Sequence, residues 1–314
     1  MRPLILAAIA PLALAPLILA PVRSDAGAQI MASERGTVSQ VVDGTRTTVD
    51  YHRPRARGRT ALFGTLVKWG ETWTPGANQA TTLAVTKDVT IGGTPVPRGR
   101  YSVWFVTARG DWELVLDPDT TRFHTQRPRA RPGQVRLTVR PEKRPFVEVL
   151  TWSFPEVSAT GTTLAMQWDT VYVPLRITVA PTHHAAVGGD AAARVVGRYR
   201  MRPQRPPAPA GPRDTTLEEQ ELPPDSMTFT IRHEQGELRA VMDPPLFASE
   251  SGYTDWVLLP KAGDLYVLGR FDRGELVEVM DSFALQFDVV DGRAVRFEVR
   301  APNDALIASG SRLP

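Results

Sequence analysis

The sequence predicts an all-β protein: a β-sandwich-like N-terminal domain, a proline-rich linker and a small C-terminal β-barrel-like domain. Three observations carry this expectation. Short runs rich in valine, threonine and aromatic residues alternate apolar with polar positions, the pattern of half-buried strands. Asp-Gly and Gly-Gly pairs punctuate these runs where tight hairpins would turn. Between 183 and 225 the alternation stops and proline, alanine and glycine take over, so the chain is divided into two structured parts.

The first 28 residues read as a secretory signal peptide. Met1-Arg2-Pro3 is followed by an apolar run from Leu4 to Ala20, and small residues at Ala26 and Ala28 suit cleavage after Ala28. The rival reading is a retained membrane anchor. Pro3, Pro11, Pro16 and Pro21 interrupt the run, which falls short of the ~20 clean apolar residues needed to span a bilayer. Every later apolar run is broken by charge, so no transmembrane segment is expected after cleavage. The expected location is periplasmic or secreted.

Composition narrows the chemistry. The chain has no cysteine, which removes disulfides, thiol nucleophiles, iron–sulfur clusters and cysteine-based zinc sites. The formal charge of +3 becomes +2 once Arg2, Arg23 and Asp25 leave with the signal. So small an excess describes no basic face, and nucleic acid is not an expected partner.

In the first domain, 29–182, Thr37 to Val42 and Thr45 to Tyr51 flank Asp43-Gly44, both of which tolerate positive φ. Gly92-Gly93 turns between Val89 and Val96. Arg100 to Thr107 and Trp112 to Leu116 form the next pair, followed by Gln134 to Arg140, Phe146 to Phe154, Thr162 to Trp168 and Val171 to Val179. Strands this short at this spacing indicate a sandwich or barrel. One stretch departs from the pattern: over Ala61 to Gly70, Leu62, Leu66 and Trp69 fall on one face of a predicted short helix.

That stretch lies inside a dense signature. It runs from Tyr51-His52-Arg53-Pro54 through Arg57-Gly58-Arg59, Leu62-Phe63-Gly64 and Trp69-Gly70-Glu71-Thr72-Trp73 to Gly76-Ala77-Asn78-Gln79-Ala80-Thr81. It resembles the signature of the bacterial family catalogued as domain of unknown function 2911, whose members are mostly exported and have no established activity. The resemblance implies that any site common to the family lies in the Arg-Pro-x-x-x-Gly-Arg and Gly-Ala-Asn-x-Ala-Thr elements. Against the family pattern, Arg57 stands in place of lysine, Thr74 in place of a basic residue and Gln79 in place of glutamate. The last two changes remove one charge of each sign.

The linker, 183–225, contains His183-His184, Gly188-Gly189 and a dense proline run from Pro203 to Pro212. Gly197-Arg198-Tyr199 interrupts it and reads as a candidate first strand of the next domain. In the second domain, 226–314, Phe229 and Ile231 alternate with Thr228 and Arg232, while Phe283, Leu285, Phe287 and Val289 turn at Asp291-Gly292 and return as Val295, Phe297 and Val299. The order of a Gly-Arg-Tyr opening, the Arg232 to Leu238 turn, Trp256-Val257-Leu258-Leu259-Pro260 and this Phe-rich hairpin resembles small β-barrel modules that follow secreted serine hydrolases. Such modules are accessory.

The candidate ligand-binding residues are Tyr51, Arg53, Arg57, Arg59, Trp73 and Asn78. Guanidinium forks match carboxylate or phosphate, and indole faces stack on sugar rings or cations. The same residues also suit a purely structural role, with tryptophans in the core, arginines paired to Asp50 or Glu71, and Asn78 at a backbone turn. His52, His124, His183, His184 and His233 match no metal spacing, although Asp50 and His52 would share one face of a strand. Asp117-Pro118-Asp119 lacks the rest of a calcium loop and reads as a turn. No Gly-x-Ser-x-Gly elbow, His-Glu-x-x-His motif or phosphate-cradling glycine loop occurs. No cofactor and no metal are expected.

Three readings of function follow. The preferred one is a non-catalytic binding protein of the cell envelope for a small anionic or carbohydrate ligand, with the second domain as an adaptor, which leaves enzymatic activity open but disfavoured. The second is an uncharacterised secreted hydrolase using an acid or Tyr51 to move a proton. The third is a structural envelope protein, partnered by other proteins, whose signature side chains are buried and mutually satisfied.

Overall fold

A computed structural model describes residues 32–204, 224–244, 255–272 and 275–314. The expected signal peptide and the proline-rich core of the linker lie outside these residues. Among the described residues the chain is nearly all β and forms two domains, a two-sheet sandwich and a closed barrel.

The sandwich is built from β1 (Glu34–Val42), β2 (Thr45–Arg53), β3 (Thr72–Trp73), β4 (Thr82–Val85), β5 (Val89–Ile91), β6 (Thr94–Val96), β7 (Gly99–Val106), β8 (Trp112–Asp117), β9 (Val135–Val139), β10 (Glu142–Ser158) and β11 (Gly161–Val179). One sheet runs β1-β2-β4-β7-β8-β9, with β3 paired to β7; the other runs β10-β11-β5-β6. Alternation on β2 fixes which face is buried. Thr45, Thr47, Val49 and Tyr51 point inward, while Arg46, Thr48, Asp50 and His52 point out or lie half-exposed. The inward faces meet in one core, where Val49, Leu83, Phe105 and Leu114 pack toward Leu150, Trp152, Met166 and Ile177. Each such side chain contributes roughly 1.5–3 kcal/mol by burial.

The tight turns form where the sequence places them. Asp43 and Gly44 have φ of 44° and 68°, and Asp291 and Gly292 have 49° and 76°, the two positive values that a type I′ hairpin requires. Two expectations change. Ala61 to Gly70 is not a helix but a tight turn, in which the Gly64 N–H donates to the Val67 carbonyl at 2.7 Å and the Val67 N–H to the Leu62 carbonyl at 2.9 Å. Gly64 has φ of 96°, and a Cβ there would lie 2.5 Å from Trp69 Nε1, so helical backbone is replaced by a conformation open only to glycine. Leu66, expected on the buried face, is 53% exposed. Second, Thr162–Trp168 and Val171–Val179 are one strand, β11, kinked where Asp169 takes φ of 54° and the register with β10 shifts. The buried Asp169 carboxylate accepts the Leu62 N–H at 2.7 Å, so this irregularity holds the tight turn in place.

The second domain opens with the strand read at Gly197-Arg198-Tyr199, preceded by a short helix not expected from the sequence. Within the span assigned to the linker, α1 (Gly189–Val195) leads into β12 (Gly197–Pro203), which is followed by β13 (Met227–Glu234), β14 (Glu237–Asp243), β15 (Asp255–Ala262), β16 (Leu265–Asp272), β17 (Glu275–Val290), β18 (Arg293–Arg300) and β19 (Leu306–Arg312). All neighbours are antiparallel, and β12 pairs with β19 to close the ring. Tyr199, Phe229, Tyr266, Phe287 and Phe297 fill the interior, and α1 buries Ala192 and Val195 against it. None of the helical segments among the described residues is long and apolar enough to cross a membrane.

Candidate functional site

The end of β2 builds a cleft at one rim of the sandwich. Beyond Arg53 the chain crosses to the second sheet: the Leu150 N–H donates to the Pro54 carbonyl at 2.9 Å and the Ala56 N–H to the Glu148 carbonyl at 2.8 Å. Arg57 then turns with φ of 54°, its N–H held by Glu148 Oε1 at 2.6 Å. The result is a cleft of about 630 Å³ lined by Glu34, Arg53, Arg55, Arg57, Glu148 and neighbouring backbone. Three guanidinium groups and two carboxylates therefore face one concavity.

The arginines are not equivalent. Arg53 donates from Nε to the Leu150 carbonyl at 3.4 Å and from Nη2 to Thr151 Oγ1 at 3.1 Å, which fixes it to β10. Arg57 Nη2 reaches the Ala32 carbonyl at 3.4 Å. Arg59 lies outside the lining and clamps the turn from behind, donating to the carbonyls of Ala56 at 2.7 Å and Arg55 at 3.0 Å. Among the described residues the exposed guanidinium of Arg55 has no hydrogen bond or ion pair.

The remaining predicted residues are used inside the fold. Tyr51 is buried, and its hydroxyl accepts the Trp152 N–H at 3.2 Å. Trp73 stacks on Trp168 with centroids 6.2 Å apart and meets Phe63 edge-on at 5.6 Å, so its indole belongs to an aromatic cluster that also includes Trp69 and Trp112. Asn78 has φ of 57°; its carbonyl accepts the His124 N–H at 2.8 Å and its Nδ2 donates to the Ser33 carbonyl at 3.4 Å. Thr74, within the signature, is buried and donates to the Val103 carbonyl at 2.8 Å. A charged side chain could not occupy that position without displacing this contact.

The outward face of the same hairpin carries a second, smaller cleft of about 350 Å³, which includes Arg35, Asp50, His52, Gln79, Thr82 and Arg100. Asp50 is its hub, accepting from Thr37 Oγ1 at 2.6 Å, Arg100 Nη2 at 3.0 Å and Arg35 Nη2 at 3.1 Å. Partial burial pushes the Asp50 carboxyl up, but the Thr37 hydroxyl and the two arginines outweigh it and hold the group below the usual carboxylate range. His52 shares this face; burial and the nearby Arg35 lower its pKa, and Glu34 opposes them. No set of three or more histidine, aspartate or glutamate side chains able to share a metal ion occurs among the described residues.

Sequence reasoning singled out Arg53 and Arg57 but not Glu34, Arg55 or Glu148. Arg55 lies within the signature, so alternation past Pro54 was the available signal. Glu148 is remote in sequence and reaches the cleft only through the pairing of 54–56 with β10. Residues 33–177 match the family model described as "Protein of unknown function (DUF2911)". No curated protein and no solved structure matches the chain.

Proposed function

We propose that the domain holding residues 33–177, the stretch that matches the family model of unknown function, is a non-catalytic module that binds a small anionic ligand in the cleft between β2 and β10. The observation that carries the reading is Arg55, an exposed guanidinium without an internal partner, set in one concavity with Arg53 and Arg57. Arginine forks bind carboxylate and phosphate in two-point geometry, and Arg53 is already oriented by Leu150 and Thr151. The cleft lining contains no aromatic residue. Stacking on a sugar ring therefore has no support there, which favours the anionic ligand over the carbohydrate one.

The apolar N-terminal run supports a place for this module in the envelope or outside the cell. The barrel would then serve as an adaptor. Titration calorimetry of the purified protein with simple carboxylates and inorganic phosphate tests the binding reading, with Arg55→Ala in parallel. Saturable binding that is weakened in the variant supports it; absence of binding by every anion overturns it.

A structural role for the rest of the signature is a second reading, favoured by a specific observation. Tyr51, Trp73, Arg59 and Asn78 each spend their polar or aromatic groups on the fold itself. The two readings divide the signature between them: Arg53, Arg55 and Arg57 line the cleft, and the others hold it in shape.

A further inference from the structure

We infer that the ligand of this cleft is a zwitterion of the amino-acid or short-peptide class, carrying an ammonium as well as a carboxylate. The inference rests on the anion-binding reading and deepens it. Two ionic side chains of opposite sign line the cleft: among the described residues the Arg55 guanidinium and the Glu34 carboxylate make neither a hydrogen bond nor an ion pair with each other or with another residue, and Glu34 acts on His52 only through its charge. Glu34 pairs in register with Arg53 across β1 and β2, the position where a cross-strand ion pair is expected. Arg53 instead turns to β10, donating to the Leu150 carbonyl and Thr151 Oγ1, and leaves the carboxylate open.

Glu148 adds to this arrangement. Its Oε1 is occupied by the Arg57 N–H at 2.6 Å, so its charge is fixed at the cleft wall while its second oxygen makes no hydrogen bond. A phosphate or other polyanion entering here would meet two carboxylates as well as three guanidinium groups, and like charges at close range disfavour it. A molecule with separated positive and negative ends meets complementary charge at both. The volume of about 630 Å³ accommodates a peptide of a few residues. Aromatic residues are absent from the lining, so recognition falls on the charged ends and the backbone, with little selection among side chains.

The test is calorimetric titration of the purified protein with three matched probes: L-alanyl-L-alanine, its N-acetyl form, which keeps only the carboxylate, and its C-terminal amide, which keeps only the ammonium. The free dipeptide is expected to bind about 1.4- to 5-fold more tightly than the N-acetyl form, the range of one solvent-accessible charge pair. Glu34→Gln should abolish that preference, and Arg55→Ala should weaken both carboxylate-bearing probes. Both side chains are exposed and unpartnered, so neither change threatens folding. Equal or tighter binding of the N-acetyl form, a preference that survives Glu34→Gln, or an amide that binds as well as the dipeptide overturns the zwitterion inference. In the first two cases anion binding itself stands. Binding by none of the three, together with no binding of simple anions, overturns both.

Discussion

The hydroxyl of Tyr51 on β2 accepts the backbone N–H of Trp152 on β10 at 3.2 Å, so a side chain of one sheet completes the backbone hydrogen bonding of the other. Both residues are buried, and the Trp152 indole in turn donates to the Pro75 carbonyl at 3.3 Å, tying the Gly76–Asn78 loop to the same point. The most conspicuous tyrosine of the signature is thus a tie between sheets. Tyr51→Phe should leave a buried N–H without its acceptor and cost about 1–3 kcal/mol in chemical denaturation, with anion affinity unchanged at conditions where the protein is folded. A loss below about 0.5 kcal/mol would mean that the N–H finds another acceptor.

Gly76 lies where a side chain cannot fit. A Cβ there would approach Thr81 Oγ1 to 2.5 Å, and that hydroxyl is buried and committed to the Pro75 carbonyl at 2.8 Å. Gly76→Ala should therefore destabilise by about 1–3 kcal/mol through forced displacement of the loop. A melting temperature equal to that of the parent would show that Thr81 yields freely.

Arg55 and Arg59 stand close in sequence and should behave oppositely. Arg59 holds the carbonyls of Ala56 and Arg55, whereas the Arg55 guanidinium makes no hydrogen bond or ion pair among the described residues. Arg59→Ala is expected to cost about 1 kcal/mol of stability. Arg55→Ala should stay within about 0.5 kcal/mol of the parent and act on binding alone. Denaturation and calorimetry on the same two variants separate these effects, and a destabilised Arg55→Ala would contradict the assignment.

Acid sensitivity should centre on Asp117. Its side chain is fully buried, and burial pushes the carboxyl up, but hydrogen bonds from Arg131, Gln134 and the Asp119 N–H, with the charge of Arg131, bring the net pKa below the ordinary 3.8. The folded protein then releases this proton more readily than the unfolded chain. The contribution is complete above the ordinary carboxylate value and is lost as pH falls through the lower folded value. Stability measured against pH should decline below about 4, and in Asp117→Asn that decline should be shallower from a lower starting point. An unchanged acid limb in the variant would assign the decline to other carboxylates, Asp50 first among them.

What the sequence makes legible follows from how local each cause is. Asp43-Gly44, Gly92-Gly93 and Asp291-Gly292 turn because their own residues accept positive φ, and alternation along β2 records its own buried face, whereas on β18 a register shift buries Ala294 and leaves Val295 45% exposed, so only Phe297 and Val299 of its expected apolar face are inside. The apolar spacing of Ala61–Gly70 is helical, yet the shape of this turn is set by Gly64 against Trp69 and by Asp169, 107 residues from Leu62. The cleft divides in the same way. Arg53 and Arg57 stand in the signature, but Glu148 arrives by pairing between strands, and no local pattern encodes that register. Gly197-Arg198-Tyr199 reads as a strand opening and does begin β12, but its partners β13 and β19 are set by closure of the barrel and not by its own residues.

Closure of the barrel sets an order of events during synthesis. The sandwich has its last strand by Val179, whereas β12 must wait for β19: Tyr199 pairs with Arg312, whose guanidinium reaches the Tyr199 hydroxyl across 113 residues of chain. Contacts so distant in sequence form slowly, because the intervening loop must be closed before they contribute. A nascent chain therefore has a complete first domain while the second is still an open sheet with an unpaired edge at β12. β19, the last strand of the barrel in chain order, is the one that removes that edge.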